Sequence, residues 1–367
     1  MTVAGRAPSN KPSGPMPSGK KRARMDWPAG LGALAMTVKP PPASAPATMA
    51  YLIESLRPAR NGFSTRDREG MIHATMRGED RVSVCEFSTM TASFEGDLEA
   101  CKLGGAHGIG ICEAKLPAGG DAAAREKFRA SGLKASVCLP AVLSILPLPQ
   151  FAGPSEPEQR VQALIAGIRR LAVFRPACCF CLTGPDGGLE EGRARAIVVA
   201  GLRQAARAAA EVGVPLAVEP IHASLRDEWT MVTSIPETLD LIAEVGEPNL
   251  GIGFDTWHLW DTPNLFEHIR RHARRIMGVH LSDRRNPTRG WADRVLPGDG
   301  TLDLPGMLRA LEAAGYNGWY DLEVLSDNGM FGNNYPDSLW QVPPVQLVSR
   351  ARAAFERLWT GRRRDAG

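Results

Sequence analysis

Aromatic residues are scarce in this chain. Phe, Trp and Tyr together make up 6% of it, so Ala, Leu, Val and Gly must fill most of any core. Long apolar runs are missing as well: nothing approaches the ~18 consecutive apolar residues of a membrane span. Even the Ala- and Val-rich stretch from Ala196 to Val214 is broken by Arg203, Arg207 and Glu211. No Cys-x-x-Cys pair is followed by a second such pair or by paired histidines, so structural zinc is not indicated. The seven cysteines are odd in number and sit in apolar runs such as Val84-Cys85, Ile111-Cys112 and Cys178-Cys179-Phe180-Cys181. Buried reduced thiols in a cytoplasmic protein fit this better than a disulfide framework. A strong charge of one sign is lacking too. The net +3 divides into +7 over residues 1–75 and −4 over the remaining 292. The mildly acidic remainder has no basic surface of the kind nucleic acid requires. With 44% hydrophobic and 23% charged residues, collagen, coiled coil and wholesale disorder are excluded.

What is present is unevenly distributed. Nine of the 29 prolines fall before position 50, three of them in Pro40-Pro41-Pro42, and no hydrophobic period there outlasts one turn. Such a composition does not offset chain entropy, and residues 1–75 are expected to be a disordered Pro- and Arg-rich leader. A targeting arm is one reading of it. An incidental leader, with Met71 or Met76 as the more natural start, is favoured, because neither an amphipathic basic helix nor an apolar signal core is visible. Residues 361–367, with Arg362-Arg363-Arg364, read as a basic tail.

Between these, over residues 76–360, strand-like and helix-like segments alternate. Strand patterns run over Val82–Phe87, His107–Ile111, Lys134–Leu139, Ala177–Leu182, Pro215–Glu219, Leu250–Asp255, Ile276–Leu281 and Trp319–Val324. Amphipathic segments separate them, and a final helix is expected from Val345 to Leu358. Gly132, Gly213, Gly246 and Gly315 stand where helix C-caps would lead into the next strand. Strict alternation implies parallel strands with right-handed crossovers. Eight such units closing on themselves make a single (β/α)8 TIM barrel of the α/β class. A doubly wound open sheet would ordinarily open with a glycine-rich first turn, and Ser88–Ser93 contains no glycine.

In a barrel, chemistry gathers at the C-terminal ends of the strands. The last four strands end in a polar residue after an apolar run: Val218-Glu219, Phe254-Asp255, Val279-His280 and Leu322-Glu323. Three carboxylates converging without a cation would repel one another and raise their own pKa values. A divalent metal resolves the conflict, and three oxygens with one imidazole suit Mn²⁺, Mg²⁺, Co²⁺ or a catalytic Zn²⁺. Taken singly, each carboxylate is more often a helix cap or an ion-pair partner and the histidine more often a hydrogen-bonded core residue; the set and its strand-end placement carry the signal.

At these residues the chain resembles the xylose-isomerase-like barrel superfamily of sugar isomerases and epimerases. The resemblance runs from Val82 to Leu358 and is carried by Val218-Glu-Pro-Ile-His222, Gly253-Phe-Asp-Thr-Trp-His258, Val279-His-Leu-Ser-Asp283, Asp293-Arg-Val-Leu-Pro-Gly-Asp-Gly300 and Asp321-Leu-Glu-Val324. It implies that Glu219, Asp255, His280 and Glu323 bind the metal, Mn²⁺ first among the candidates, with Glu219 and Glu323 also serving as the catalytic acid/base pair. His258 and Arg294 would bind substrate, Arg289 being the alternative to Arg294. His222 would be a third proton carrier or a turn-stabilising residue, and Glu113, with Lys115 near it, would stand at the pocket rim. The resemblance also implies pairing of copies. The loop Ser282–Leu296 and the segment Met330–Trp340 are long for this family and would reshape the pocket mouth.

The expected activity is a divalent-metal-dependent sugar or polyol isomerase or epimerase that transfers a proton through a metal-bound enediolate. The alternative on the same barrel is a dehydratase or lyase of keto-inositols or C-glycosides, in which the same intermediate expels a leaving group. An apurinic endonuclease shares the barrel but needs many more histidines than the seven here. A small-molecule substrate, no nucleic acid, no membrane and a cytoplasmic location complete the expectation.

Overall fold

The computed structural model describes residues 80–361. The expected leader over residues 1–75 and the tail from residue 362 lie outside the described residues. The eight expected staves are all present. In chain order the strands are β1 (Val82–Cys85), β2 (Gly108–Gly110), β3 (Lys134–Ala135), β4 (Val137–Cys138), β5 (Cys178–Cys181), β6 (Leu216–Val218), β7 (Leu250–Asp255) and β8 (Ile276–Leu281). A short antiparallel pair follows, β9 (Asp283–Arg284) with β10 (Arg294–Val295), and then the last stave, β11 (Tyr320–Leu322).

The main sheet is parallel, in the order β3-β2-β1-β11-β8-β7-β6-β5-β4. Its two outer members, β3 and β4, are consecutive pieces of one stave separated by Ser136. The Ser136 N–H donates to Ile109 O at 3.0 Å, and its carbonyl accepts from Ala177 N–H at 3.0 Å. Backbone bonds on both sides of that one residue close the barrel.

The main helices are α1 (Phe94–Leu103), α2 (Asp121–Ser131), α3 (Pro157–Leu171), α4 (Glu191–Glu211), α5 (Arg226–Trp229), α6 (Ile235–Val245), α7 (Thr256–Leu259), α8 (Leu265–His272), α9 (Leu304–Ala313) and α10 (Pro344–Gly361). Their ends follow local chemistry. The Glu190 carboxylate caps α4 through the N–H groups of Gly192 and Arg193. Gly132 and Gly246 close α2 and α6 in the left-handed region that glycine adopts at little cost. Gly213 and Gly315 stand one residue beyond the caps of α4 and α9, also at positive φ. The four-residue helices α5 and α7 are too short to leave a period in the sequence. No helix among the described residues is long and apolar enough to cross a membrane.

The large hydrophobic core lies between the strands and the surrounding helices, where Val84, Ile109, Cys179, Leu216, Ile252 and Leu322 meet residues such as Leu164, Leu202 and Phe355. The barrel lumen is filled differently, with glycines beside a few bulky groups. A Cβ on Gly253 would stand 2.7 Å from the Phe180 ring, and one on Gly278 would stand 2.7 Å from Val137. Phe180 therefore occupies the space those glycines leave. All seven cysteines are buried and unpaired, as expected.

Candidate active site

Four neighbouring staves bring Glu219, Asp255, His280 and Glu323 to one mouth of the barrel. Asp255 is the last residue of β7 and lies level with His280 of β8. Glu219 and Glu323 follow β6 and β11 directly, and their N–H groups extend the ladders by donating to Cys181 O and Leu281 O. One ligand atom from each of the four residues lies within 4.8 Å of the others, and all four residues are buried. His280 Nδ1 sits 3.3 Å from Glu219 Oε1 and 3.5 Å from Glu323 Oε2.

Arg294 enters this group from β10. Its Nη1 is 2.8 Å from Asp255 Oδ2 and 2.9 Å from Glu323 Oε2, and the guanidinium lies over the Trp257 ring at 5.2 Å. Arg294 Nη2 is also 3.1 Å from His258 Nε2, while His258 Nδ1 accepts the His222 N–H at 3.2 Å. A neutral imidazole has one lone pair, so it serves only one of these two donors. Burial pushes His258 down to about 3, which keeps the ring neutral.

The same burial drives the electrostatics of the others. It pushes Glu219 up to about 7, against the pull of His280. For Asp255 burial acts upward too, but Arg294 and His280 outweigh it and hold the carboxyl below its usual range. His280 is opposed by burial yet raised to about 10 by Glu323, Glu219 and Asp321. Asp321 stands behind the imidazole on β11, its Oδ2 3.7 Å from His280 Nε2, and burial raises it to about 7. Ser136 donates to Asp321 Oδ1 at 3.2 Å, whereas Asp321 Oδ2 and His280 Nε2 have no hydrogen-bond partner. Asp321 was not among the sequence candidates, although its place two residues before Glu323 puts it on the same face of the strand and would have marked it.

This donor set fits a divalent cation. Three buried carboxylates and one imidazole nitrogen gather within a few ångströms, and among the described residues Arg294 and His280 supply the positive charge beside them.

The remaining candidates lie elsewhere. The His222 ring is turned to Ser224 Oγ (2.7 Å) and Asp261 Oδ2 (3.1 Å) and stacks on Trp260, so its backbone rather than its imidazole reaches the group, through His258. Glu113 sits in a turn after β2. Its carboxylate accepts from Ala141 N–H at 2.8 Å and lies 3.7 Å from Arg170, on the side of α3. Lys115 is buried against Asp97 and donates to Glu86 O and Thr89 O. Arg289 pairs with Asp293 and Asp337 and lies over Tyr335, away from the four.

A pocket of about 570 Å³, its open mouth included, leads to the cluster. Glu219, His258, Arg294 and Glu323 form one end of it, and the rest of its lining is apolar. Two lining residues, Trp291 and Phe331, come from the long loops noted in the sequence.

Comparison with known proteins places these features in context. The profile of the xylose isomerase-like TIM barrel matches residues 98–355. A putative hydroxypyruvate isomerase of Streptomyces coelicolor is 31% identical over 189 residues, 48% of this chain and 64% of that protein. A D-psicose 3-epimerase of Enterocloster bolteae is 28% identical over 125 residues, 34% of this chain and 38% of that protein. The match thus spans less than two thirds of the length of these curated relatives. Two solved structures are covered almost whole. A protein of Sinorhizobium meliloti 1021 has a TM-score of 0.67 at 26% identity, over 76% of this chain and 98% of its own. The IOLI protein, solved with a binding zinc atom, has a TM-score of 0.61 at 18% identity over 76% and 97%, a likeness of fold alone.

Proposed function

This chain belongs to the xylose isomerase-like TIM-barrel family, and from that premise we propose that it is a divalent-metal-dependent isomerase or epimerase acting on a small hydroxycarbonyl compound of the sugar or polyol type. The observation that carries the reading is the meeting of Glu219, Asp255, His280 and Glu323 within 4.8 Å, buried, at the end of a pocket. The names of the relatives, hydroxypyruvate isomerase and psicose 3-epimerase, support the same class.

Glu219, Asp255, His280 and Glu323 would hold the cation. Held by these four residues, the cation would supply Lewis acidity, which makes a C–H next to a carbonyl more acidic. The chain's own part is to move that proton. Glu219 and Glu323 both face the pocket, with His280 Nδ1 between them. One carboxylate accepts the proton from carbon and the other returns it, to the opposite face for epimerisation or to the adjacent carbon for isomerisation. His258 and Arg294, at the same end of the pocket, orient the substrate oxygens. The apolar lining keeps water away from the reacting carbon.

The test is metal analysis of the purified chain, followed by solvent deuterium incorporation into hydroxyketones with Mn²⁺ supplied. Metal bound in one equivalent with exchange at the carbon next to the carbonyl is the expected result. No exchange with any hydroxyketone in the metal-loaded protein overturns the reading.

A further inference from the structure

The polar side chains lining the pocket are Glu219, His258, Arg294 and Glu323, all at one end. Beyond them the wall contains no serine, threonine, asparagine, glutamine, lysine or tyrosine. Four aromatic rings from four different segments form a closed circuit there. Phe151 meets Trp229 edge to face at 5.5 Å, and Trp229 meets Trp291 edge to face at 5.0 Å. Trp291 meets Phe331 at 5.0 Å, and Phe331 returns to Phe151 at 6.4 Å. Leu182, beyond the end of β5, and Phe87, beyond β1, face the same space.

Such a wall does not suit a free sugar. The oxygens next to the reacting carbon would be held at the charged end, but the later hydroxyls would be buried against rings that offer them no partner. An unpartnered buried hydroxyl is unfavourable, and a site without hydrogen-bonding groups cannot select for it. A planar apolar group, by contrast, finds both the edge and face contacts that aromatic rings favour. The indole Nε1 of Trp229 is itself enclosed and has no hydrogen-bond partner, so it offers a ligand hydroxyl nothing.

We propose that the substrate is an α-hydroxycarbonyl compound carrying an aromatic ring, with the hydroxycarbonyl at the Glu219–Glu323 end and the ring against the wall that Phe151, Trp229, Trp291 and Phe331 form. The inference rests on the proposed function for its reacting group and adds the class of the tail. Specificity is then set by loop residues, and the charged end fixes the reaction alone.

The experiment uses the full chain loaded with Mn²⁺ and two probes with the same reacting group, erythrulose and 1-hydroxy-3-phenylpropan-2-one. Deuterium exchange at the hydroxymethyl carbon and quenching of tryptophan fluorescence are followed for each. The expected result is a kcat/KM at least about 10-fold higher for the aryl probe, the scale on which an apolar pocket discriminates. Saturable quenching by the aryl probe alone is expected alongside. In Phe331→Ser the KM of the aryl probe should rise about 10-fold more than that of erythrulose. Exchange that favours erythrulose, or equal exchange with no quenching by the aryl probe, overturns the substrate class and leaves the proposed function standing. Exchange with neither probe overturns the substrate class, and exchange with no hydroxyketone at all in the metal-loaded protein overturns the proposed function as well.

Discussion

The ends of β6, β7, β8 and β11 carry Glu219, Asp255, His280 and Glu323 to the barrel mouth, whereas the segments beyond β1, β4 and β5 carry Phe87, Leu139 and Leu182 to the same pocket. One side of the pocket is charged and the other is hydrocarbon, although both are built from the same repeating unit. The contrast shows how a symmetric scaffold separates two tasks. Like charges brought together out of water are unfavourable until a cation joins them, so the charged half carries a requirement for a partner. The apolar half lowers the local dielectric and thereby strengthens every interaction on the charged side.

Substitutions on the two sides should therefore differ in kind. The largest effect is expected from Glu219→Gln, which keeps the shape and removes a proton carrier. The turnover number should fall by about 10²–10⁴-fold, read from deuterium exchange in metal-loaded protein. A variant within a few-fold of the wild type would remove the functional distinction between the halves. Next is Arg294→Met. It leaves Asp255 and Glu323 without their cationic partner, and breaking a buried pair costs about 3–5 kcal/mol. Melting of the metal-free variant should show that loss, and added Mn²⁺ should stabilise it more than it stabilises the wild type. An equal response to Mn²⁺ would mean that Arg294 and the metal do not share those carboxylates.

Smaller is Asp321→Asn, behind His280 rather than at the mouth. Groups that orient a ligating imidazole typically contribute 10–100-fold to metal affinity, and calorimetric titration with Mn²⁺ should show a loss of about that size. Least of all, Trp229→Phe on the hydrocarbon side removes an N–H that has no partner in the protein. Its stability should stay within about 1 kcal/mol of the wild type in urea unfolding, since no hydrogen bond is lost. A loss of several kcal/mol would show that the apolar wall is structural.

The barrel and the charged half were both legible because each depends on short-range pattern. An apolar run ended by Glu, Asp or His fixes both the direction of the strand and the face on which the last side chain stands. Glu113 obeys the same pattern after β2, yet a turn swings its carboxylate to Ala141 and Arg170, and nothing in the local sequence encodes that swing. His222 differs from His258 for a comparable reason. Ser224 and Asp261 hold its ring away from the mouth, and Asp261 is distant in sequence. The aromatic circuit was not legible at all. Phe151, Trp229, Trp291 and Phe331 come from loops and a four-residue helix that carry no period, and only the closed chain brings them together.

The lumen glycines have a consequence for the imidazole above them. Phe180 rests where Gly253 and Gly278 lack side chains, and the His280 ring lies on Phe180 with centroids 4.5 Å apart. How deep that nitrogen sits below the rim is thus gauged by two glycine hydrogen atoms, one of them two residues before it on the same strand. A single methyl at either place would lift the phenyl ring like a shim and tilt the imidazole out of line with the carboxylates it faces.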